Sequence, residues 1–312
     1  MNVLVTGANG FVGTHLVAAL RARGDRVEAC GGPGTELGFE ITDLAAVSAR
    51  VEQAKPDAVI HLAGVSSVAQ SHADPSSTVA INALGTMNLL QAVRDHTPRG
   101  RILLIGSGEE YGRLAAGERA REDRPLAPLS PYGASKVVVE VLARQSFEAY
   151  GSAVILARPF NHLGAGQSPN FVMPSFAEQL VRIARGESAP IIEVGDLSPV
   201  RDFTHVLDVV DAYLLLIERG RPGEAYNVCS GQGLSIGDAL ATLQQMAGTE
   251  AQVRVDPARI RAVEIPWLVG DPGRIEALGW IRKRPLRQAF RDILDSAGGR
   301  SFVLSSASSS TR

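Results

Sequence analysis

Tyr132 and Lys136 lie four residues apart in the segment PYGASK, and this spacing places their side chains on one face of a helix. A lysine cation beside a phenol stabilises the phenolate and lowers the pKa of the tyrosine from its ordinary value of about 10. A pKa of about 7 would require roughly 4 kcal/mol of such stabilisation. A chance pair on a helix surface is the alternative, but the spacing predicts an acid–base centre in which Tyr132 transfers a proton.

Ser107 follows an apolar segment and precedes Tyr132 in the chain by 25 residues. Its hydroxyl could bind the same substrate oxygen as the phenol of Tyr132. Serine is also common in turns that follow strands, so its catalytic interpretation depends on the Tyr132–Lys136 pair. Together the residues predict a catalytic group of Ser107, Tyr132 and Lys136.

Three glycines follow the first apolar segment and open the first helical one, in the order GANGFVG. Gly7 permits a tight turn, Gly10 lets the backbone approach a pyrophosphate, and Gly13 allows close packing of helix on strand. The helix N-terminus then presents N–H groups and a partial positive charge to the phosphates. This order of strand, loop and helix predicts a dinucleotide-binding site.

The end of the second strand usually selects between NAD and NADP, because an acid there binds the adenosine ribose and an arginine binds a 2′-phosphate. Here Cys30 is followed by Gly-Gly-Pro-Gly, which contains neither an acidic residue nor an arginine. The sequence therefore leaves the choice between NAD and NADP open. Glu40, which precedes Ile41, could accept a hydrogen bond from the adenine amino group. A solvated loop glutamate is the alternative.

Short apolar segments rich in valine and isoleucine alternate with helical patterns through the first half of the chain. Such segments suit strands that are buried on both faces, as in a parallel sheet. The predicted strands are Asn2–Thr6, Arg26–Cys30, Ala58–Leu62, Arg101–Ile105 and Ala153–Arg158, and the predicted helices are Val12–Arg23, Asp43–Ala54, Ser76–Asp95 and Gly133–Tyr150. The alternation predicts an α/β fold with a doubly wound, mostly parallel Rossmann sheet.

After Arg158 the alternation loosens, which predicts a smaller, mixed α/β domain that closes over the carboxyl ends of the sheet. We therefore expect a dinucleotide-binding domain over residues 1–158, with a returning segment near 205–231, and a substrate-binding domain over residues 159–297. Helices are predicted at Val206–Glu218, Ser235–Met246 and Leu286–Ser296, with a short strand at Tyr226–Cys229. The serine-rich residues 298–312 are predicted to be disordered.

The composition excludes several classes of protein. With 31 Lys and Arg against 33 Asp and Glu, the net charge is −2, which is not the charge pattern of a nucleic-acid-binding protein. The two cysteines, Cys30 and Cys229, provide neither a disulfide framework nor a metal site, and the histidines lack metal-ligand spacing. The uncharged stretch Pro75–Val93 is too polar to span a membrane, and the N-terminus lacks the pattern of a signal peptide. A cytoplasmic protein with no metal, membrane or nucleic-acid partner is therefore expected.

The motifs together resemble those of the extended short-chain dehydrogenase/reductase family. The resemblance covers nearly the whole chain and rests on GANGFVG, HLAG at His61–Gly64, Asn82, Ser107, YGASK, and RPFN at Arg158–Asn161. Within the family the chain looks like the nucleotide-sugar reductases that act on GDP-6-deoxy-4-keto-mannose, in the segments RPFNHLGAGQSPNFV, VGDLSPVRDFTHVLDVV, YNVCSG and RIRAVEIPWLVGD. The resemblance implies reduction of the 4-keto group by NAD(P)H to give GDP-rhamnose or its C4 epimer. It also implies a homodimer formed through the helix that follows Lys136.

The same resemblance implies a role for each matching residue. The dinucleotide would be held by Gly7, Gly10, Phe11, Val12, Gly13, Leu62, Ala63, Gly64, Asn82, Tyr132 and Lys136. The nucleotide-sugar would be bound by Glu109, Asn161, Phe171, Val172, Arg201, Arg261 and Glu264. Arginine suits a diphosphate and a carboxylate suits the cis-diol of a ribose, so these residue types agree with that role.

Other functions remain open on the sequence. A GDP-mannose 4,6-dehydratase, or another nucleotide-sugar epimerase or dehydratase, is one alternative, and a dehydratase would use Glu109 as a base at C5. A catalytically silent dinucleotide-binding sensor would have lost the Tyr132–Lys136 pair, which this chain keeps. Gly108 stands where relatives often have a second serine, and His162 is either a substrate contact or a structural loop residue.

Overall fold

A six-stranded parallel sheet forms the centre of the fold in a computed structural model that describes residues 1–260 and 264–299. Its strands are numbered along the chain, and their spatial order is β2 (Arg26–Cys30), β1 (Asn2–Thr6), β3 (Ala58–His61), β4 (Arg101–Ile105), β5 (Val154–Pro159) and β9 (Ala225–Val228). Every neighbouring pair in this sheet is parallel. The winding reverses between β1 and β3, and ligands bind in the crevice outside the carboxyl ends of the strands at such a reversal. The predicted doubly wound parallel sheet is confirmed.

Helices cover both faces of this sheet because its strands are apolar on both sides. The covering helices are α1 (Phe11–Ala22) and α8 (Val206–Arg219) on one face, and α2 (Leu44–Ala54), α5 (Gly85–His96) and α6 (Pro131–Tyr150) on the other. Val3 and Val5 of β1 pack into the first core and Leu4 into the second, since successive side chains of a strand point to opposite faces. The sheet is therefore the middle of three layers, with a hydrophobic core between it and the helices on each face.

The helix predicted over Ser76–Asp95 is confirmed, and it contains a π-helical turn. The helical run consists of α4 (Pro75–Val79), the π-helical turn (Ala80–Leu84) and α5, and a short α3 (Val68–Ala73) precedes it. The wide turn carries Asn82, whose side chain bonds outside its own helix. A π-helical turn holds one residue more than an α-helical turn, and the spacing of apolar residues along the chain does not reveal it. Turns of this kind are frequent at functional sites.

A smaller set of strands and helices follows β5. Its strands are β6 (Asn161–Leu163), β8 (Val200–His205), β10 (Gly233–Ser235) and β12 (Trp267–Leu268), beside the pair β7 (Ile191–Val194) and β11 (Gln252–Val255), and its helices are α7 (Val172–Ala184), α9 (Ile236–Ala247) and α11 (Leu286–Ala297). The short α10 (Gly273–Glu276) instead packs beside β9 in the core of the large sheet. Helices α7, α9 and α11 share a core of their own around Phe176, Leu240 and Phe290. Only Phe160 separates β5 from β6, so the chain passes from the large sheet to the smaller one at a single residue.

Asp202 on β8 ties the two sets of strands together. Its buried carboxylate accepts the backbone N–H groups of Ser230, Gly231 and Gly270, at 2.7, 2.8 and 3.3 Å. Among the described residues, no helix is both long and apolar enough to cross a membrane. The disorder predicted for residues 298–312 falls, from residue 300 onward, outside the described part of the chain.

Candidate active site

A cleft of about 690 Å³ lies where the carboxyl ends of β1, β3 and β4 face the smaller set of strands. Most of the residues singled out from the sequence line it: Gly7, Gly10, Phe11, Val12, Gly13, Leu62, Gly64, Ser107, Glu109, Tyr132, Lys136, Asn161, Phe171, Val172, Arg201 and Glu264. Its volume is within the range of pockets that bury a small organic ligand. The fold therefore brings the predicted dinucleotide, catalytic and sugar residues to one place.

Ser107 and Tyr132 meet at the end of β4. Ser107 begins a 3₁₀ turn, and Tyr132 lies in the first turn of α6, whose N-terminus is capped by the hydroxyl of Ser130 at 3.0 Å from the N–H of Gly133. Burial raises the pKa of Tyr132 above its ordinary value, and a side-chain hydrogen bond with Ser107 lowers it in part. The phenol is consequently protonated at neutral pH and able to donate a proton.

Lys136 lies one turn after Tyr132 on α6. Its ammonium donates to the carbonyl oxygen of Ile105 at 2.7 Å and lies 6.0 Å from the centroid of the Tyr132 ring. Burial lowers the pKa of Lys136 to about 8, while Glu110 raises it. The side chain is thus a cation at pH 7, at a distance from which it stabilises a phenolate on Tyr132.

The glycine loop leaves room for a pyrophosphate. Gly7 has φ +68, and a Cβ on it would lie 2.6 Å from the backbone nitrogen of Ala63. A Cβ on Gly13 would collide with the carbonyl oxygen of Gly7. Gly10 precedes α1 without a side-chain cap, so the first N–H groups of that helix remain available to an anion. These features fit a bound dinucleotide.

Asn82 holds the segment that follows β3. Its Oδ1 accepts the N–H of Val65 at 2.8 Å, and its Nδ2 donates to the carbonyl oxygen of Val65 at 3.1 Å and to the hydroxyl of Ser135 at 2.8 Å. A Cβ on Gly64 would lie 2.8 Å from Oδ1 of Asn82. Asn82 therefore fixes the backbone beside the cleft, and the cleft wall itself is formed by Leu62 and Gly64.

The structure does not bring Glu40 and Ile41 to the cleft. Glu40 is exposed, and its carboxylate accepts the hydroxyl of Thr42 at 3.2 Å. Ile41 is buried against Gly85, and its carbonyl oxygen accepts the amide of Asn88 at 3.1 Å. The contact with adenine stays a prediction.

Arg201 and Glu264 form an ion pair on the side of the cleft that the smaller set of strands provides. Arg201 is buried on β8, and its guanidinium donates to the carboxylate of Glu264 and, at 2.9 Å, to the carbonyl oxygen of Val200. The family resemblance implies separate contacts for the two, to the diphosphate and to the ribose, and the ion pair places them side by side. Arg261, the third member of this group, lies outside the described residues.

His162, for which the sequence allows two interpretations, lines the cleft. Its ring stacks on Phe11 with the centroids 5.9 Å apart and the planes 4° apart. Burial lowers its pKa, and its Nδ1 lies 2.9 Å from the carbonyl oxygen of Phe160, so the ring is neutral and held in place. The stack joins the glycine loop to β6, and no spacing rule connects residues this far apart in the chain.

Comparison with known proteins supports an enzyme of nucleotide-sugar metabolism. Residues 3–229 match the NAD dependent epimerase/dehydratase family. The chain is 40% identical to the GDP-6-deoxy-D-mannose reductase of Pseudomonas aeruginosa, over 94% of this chain and 95% of the relative. It is 29% identical to the GDP-6-deoxy-D-talose 4-dehydrogenase of Aggregatibacter actinomycetemcomitans, over 88% and 90% of the two chains. The solved structure of RMD from Pseudomonas aeruginosa complexed with NADPH matches with a TM-score of 0.87 at 37% identity, over 96% of this chain and 100% of that one.

Proposed function

Because the chain belongs to the NAD dependent epimerase/dehydratase family of extended short-chain dehydrogenases/reductases, we propose that it reduces the 4-keto group of GDP-4-keto-6-deoxymannose. The enzyme is an NAD(P)-dependent oxidoreductase, and the proposed product is GDP-rhamnose or its C4 epimer. The observation that carries the proposal is the buried pair of Ser107 and Tyr132 beside the Lys136 cation, in the cleft that also holds Arg201. The similarity to two enzymes of GDP-6-deoxyhexoses supports this choice of sugar.

The catalytic side chains supply the proton of the reduction. When bound, NAD(P)H supplies the hydride that adds to C4. Tyr132 donates its phenolic proton to the C4 oxygen, while the hydroxyl of Ser107 hydrogen-bonds to the same oxygen. Lys136, 6.0 Å from the ring, then stabilises the phenolate that remains on Tyr132. The carbonyl gains one hydride and one proton and becomes an alcohol.

The far side of the cleft is proposed to hold the nucleotide. The Arg201 guanidinium would bind a diphosphate oxygen in a charge-assisted hydrogen bond, and Glu264 would accept the ribose hydroxyls. Arg201 and Glu264 are adjacent because they form an ion pair. A bound diphosphate would therefore share the N–H donors of Arg201 with the carboxylate of Glu264. Phe171 and Val172 are apolar and exposed at the cleft, which suits the face of a sugar or a base, and Asn161 offers an amide to the sugar.

We propose that the protein acts in the cytoplasm as a homodimer. Five exposed apolar side chains lie on adjacent helical segments α4, the π-turn, α5 and α6: Val79, Leu84, Met87, Val138 and Val141. Exposed apolar side chains on neighbouring helices of a folded chain favour an interaction surface. A second copy is the occupant, because two neighbouring helices can pack on the same two helices of a symmetry mate.

Product analysis tests the proposed reaction. The enzyme is incubated with GDP-4-keto-6-deoxymannose and either NADPH or NADH, and the sugar product is identified by NMR. We expect one reduced cofactor to be oxidised for each keto-sugar consumed, and the E109Q variant to keep most of this rate. A dehydratase would instead convert GDP-mannose alone to a 4-keto product, in a reaction that E109Q abolishes. That result would replace the proposed function.

A further inference from the structure

A buried group of charged side chains lies behind the candidate active site and takes no part in the reaction described above. It consists of Glu110 in the 3₁₀ turn after β4, Glu140 on α6 and Arg158 on β5. Glu110 is fully buried and lines no part of the cleft, so it cannot contact a molecule bound there. Any effect of Glu110 on the reaction must therefore pass through another residue.

One carboxyl oxygen of Glu110 holds Ser107. The backbone N–H of Ser107 donates to Oε1 of Glu110 at 2.6 Å, and the Ser107 hydroxyl accepts the N–H of Glu109 at 3.2 Å. These bonds belong to a capping box that fixes the backbone and the hydroxyl of Ser107 together. Glu110 thus sets the position of the hydroxyl that bonds to Tyr132.

The other oxygen, Oε2, faces Arg158 but receives no hydrogen bond from it. Arg158 donates from Nε and Nη2 to the two oxygens of Glu140, at 2.5 and 2.6 Å. Its Nη1 donates to the hydroxyl of Tyr111 at 2.7 Å and to the carbonyl oxygen of Glu122 at 3.1 Å. Oε2 of Glu110 lies 3.5 Å from Nε of Arg158, is buried, and has no hydrogen-bond donor among the described residues. The guanidinium therefore forms its bidentate ion pair with Glu140 and not with Glu110.

The hydrogen bonds in this group favour a proton on Glu110. Arg158 is bonded to Glu140, so an ionised Glu110 would be a buried carboxylate whose Oε2 receives no hydrogen bond from the described residues, which is strongly unfavourable even with the Lys136 cation nearby. Burial raises the pKa of Glu110 well above its ordinary value, and a hydrogen bond with Glu140 raises it further. Burial also opposes the ionisation of Glu140, but hydrogen bonds from Arg158 and Glu110 hold the pKa of Glu140 below its ordinary value. The proton belongs on Glu110 and the negative charge on Glu140.

We propose that Glu110 is a positioning residue that holds Ser107 through Oε1 as a neutral carboxylic acid and donates its proton from Oε2 to Glu140. This inference rests on the proposed function, since the position of Ser107 matters to a reaction at an oxygen beside Tyr132. The titratable and charged groups that face Glu110 are Tyr132, Lys136 and Glu140 on α6, Arg158 on β5 and Glu109 in its own turn. An ionised Glu110 would repel the phenolate of Tyr132, so the shared proton keeps a negative charge away from the reacting tyrosine.

Three substitutions test this proposal in the full-length enzyme. E110V removes both bonds of the carboxyl group and should lower kcat about tenfold or more at unchanged Kd for NADPH, because a displacement of ~1 Å near reacting atoms costs up to ~10²-fold. E110Q retains an acceptor for Ser107 and a donor for Glu140 and should restore kcat and its pH profile. In E140Q, Arg158 loses its carboxylate partner, so Glu110 should ionise and take that place. The negative charge on Glu110 should raise the pKa of Tyr132, and the step in the pH profile of kcat/KM that reports Tyr132 should move to higher pH.

Infrared spectroscopy tests the proton itself without turnover. Wild type at neutral pH should show the carbonyl band of a buried carboxylic acid, and both E110Q and E140Q should lack it. Absence of the band in wild type would overturn the proposal, and so would a folded E110Q that is as slow as E110V. The infrared arm needs only wild type and E110Q, so it decides the matter even where E110V does not fold. If the wild type binds NADPH and shows the band but leaves the keto-sugar unreduced, the proposed function fails and the shared proton stands.

Discussion

At the scale of single residues, burial and neighbouring groups set the protonation of the candidate active site. Tyr132 and Lys136 are both buried, which raises the pKa of the phenol and lowers that of the amine to about 8. Burial favours the neutral form of each group, so Tyr132 stays protonated in the free enzyme. In the proposed reaction a positive charge is needed beside the ring when the proton leaves, and Lys136 is the cation that lies there, 6.0 Å from the ring centroid.

Y132F should remove nearly all turnover while leaving NADPH binding within about twofold of wild type. The phenylalanine keeps the ring in its buried site but has no proton to give, and proton donation by a positioned side chain contributes ~10²–10⁴-fold. The measurement is single-turnover reduction of the keto-sugar, beside NADPH titration by fluorescence. Y150F is the matched control, since Tyr150 lies exposed at the end of α6. Turnover by Y132F within tenfold of wild type would remove Tyr132 from its proposed role.

At the scale of elements, the cleft depends on close approach between β1, β3 and the helices that follow them. Gly7 at the end of β1 touches the backbone after β3, which leaves no space for a side chain. His61 at the end of β3 joins the same elements, because its ring bonds to the hydroxyl of Thr6 at 2.7 Å and to that of Thr86 at 3.2 Å. Each contact couples the stability of the sheet to the shape of the proposed dinucleotide site.

G7A should destabilise the fold by more than G24A and should also abolish NADPH binding. Both glycines have positive φ, +68 and +86, so an alanine at either position costs roughly 1–2 kcal/mol of backbone strain. Only at Gly7 does the new Cβ also meet backbone, 2.6 Å from the nitrogen of Ala63, whereas nothing lies within 4 Å at Gly24. Urea unfolding and NADPH titration of the two variants measure the difference. Equal free energies of unfolding would show that the loop moves to accept the methyl group.

His61 should make the protein less stable as the pH falls below 6.5. Burial lowers the pKa of His61 to about 3, and the nearby Lys136 cation lowers it as well. The unfolded chain, with a histidine pKa of about 6.5, therefore binds a proton that the folded chain does not, and stability is lost between pH 6.5 and 3. At pH 5 the loss amounts to about 2 kcal/mol.

H61Q tests this pH dependence, because glutamine can bond to both hydroxyls but does not titrate. The free energy of unfolding is measured with urea at pH 7 and at pH 5. From pH 7 to pH 5 it should decrease by about 2 kcal/mol less in H61Q than in wild type. H72Q serves as the control, since His72 is exposed on α3 and its replacement should leave the fall unchanged. The prediction fails if wild type and H61Q lose the same stability.

At the scale of the whole molecule, two surfaces decide what the protein does. The cleft between the large sheet and the smaller strands holds the proposed dinucleotide and sugar sites, and Asp202 fastens the strands on either side of it. The exposed apolar side chains of α5 and α6 lie on a different surface and form the proposed dimer contact. A dimer built on these helices leaves the cleft open, because α6 lines it only through its first turns, at Tyr132 and Lys136.

V141E should convert the proposed dimer to a monomer. Val141 is exposed over 62% of its surface in the free chain, and a carboxylate there would be buried against an apolar partner in the dimer. Sedimentation velocity at micromolar concentration reports the change in mass. I281E is the control, since Ile281 is 70% exposed and lies on none of these helices. A V141E protein with the mass of wild type would place the interface elsewhere.

The sequence by itself determined the features that depend on neighbours along the chain. The strand–loop–helix order around Gly7, Gly10 and Gly13 and the four-residue spacing of Tyr132 and Lys136 are local patterns, and the alternation of short apolar segments with helices predicts the parallel sheet. These patterns are readable because one turn of helix or one strand carries the whole signal.

Only the tertiary structure decided the contacts between distant segments. It paired Arg201 with Glu264, stacked His162 on Phe11, and kept Glu40 away from the cleft. It also brought Glu140 and Arg158 to Glu110, although nothing in the segment GEEY distinguishes a solvated glutamate from a buried one. Burial and charge balance are properties of the packed interior, where residues from separate elements share one low-dielectric space, and a pattern along the chain carries no record of which of them will meet.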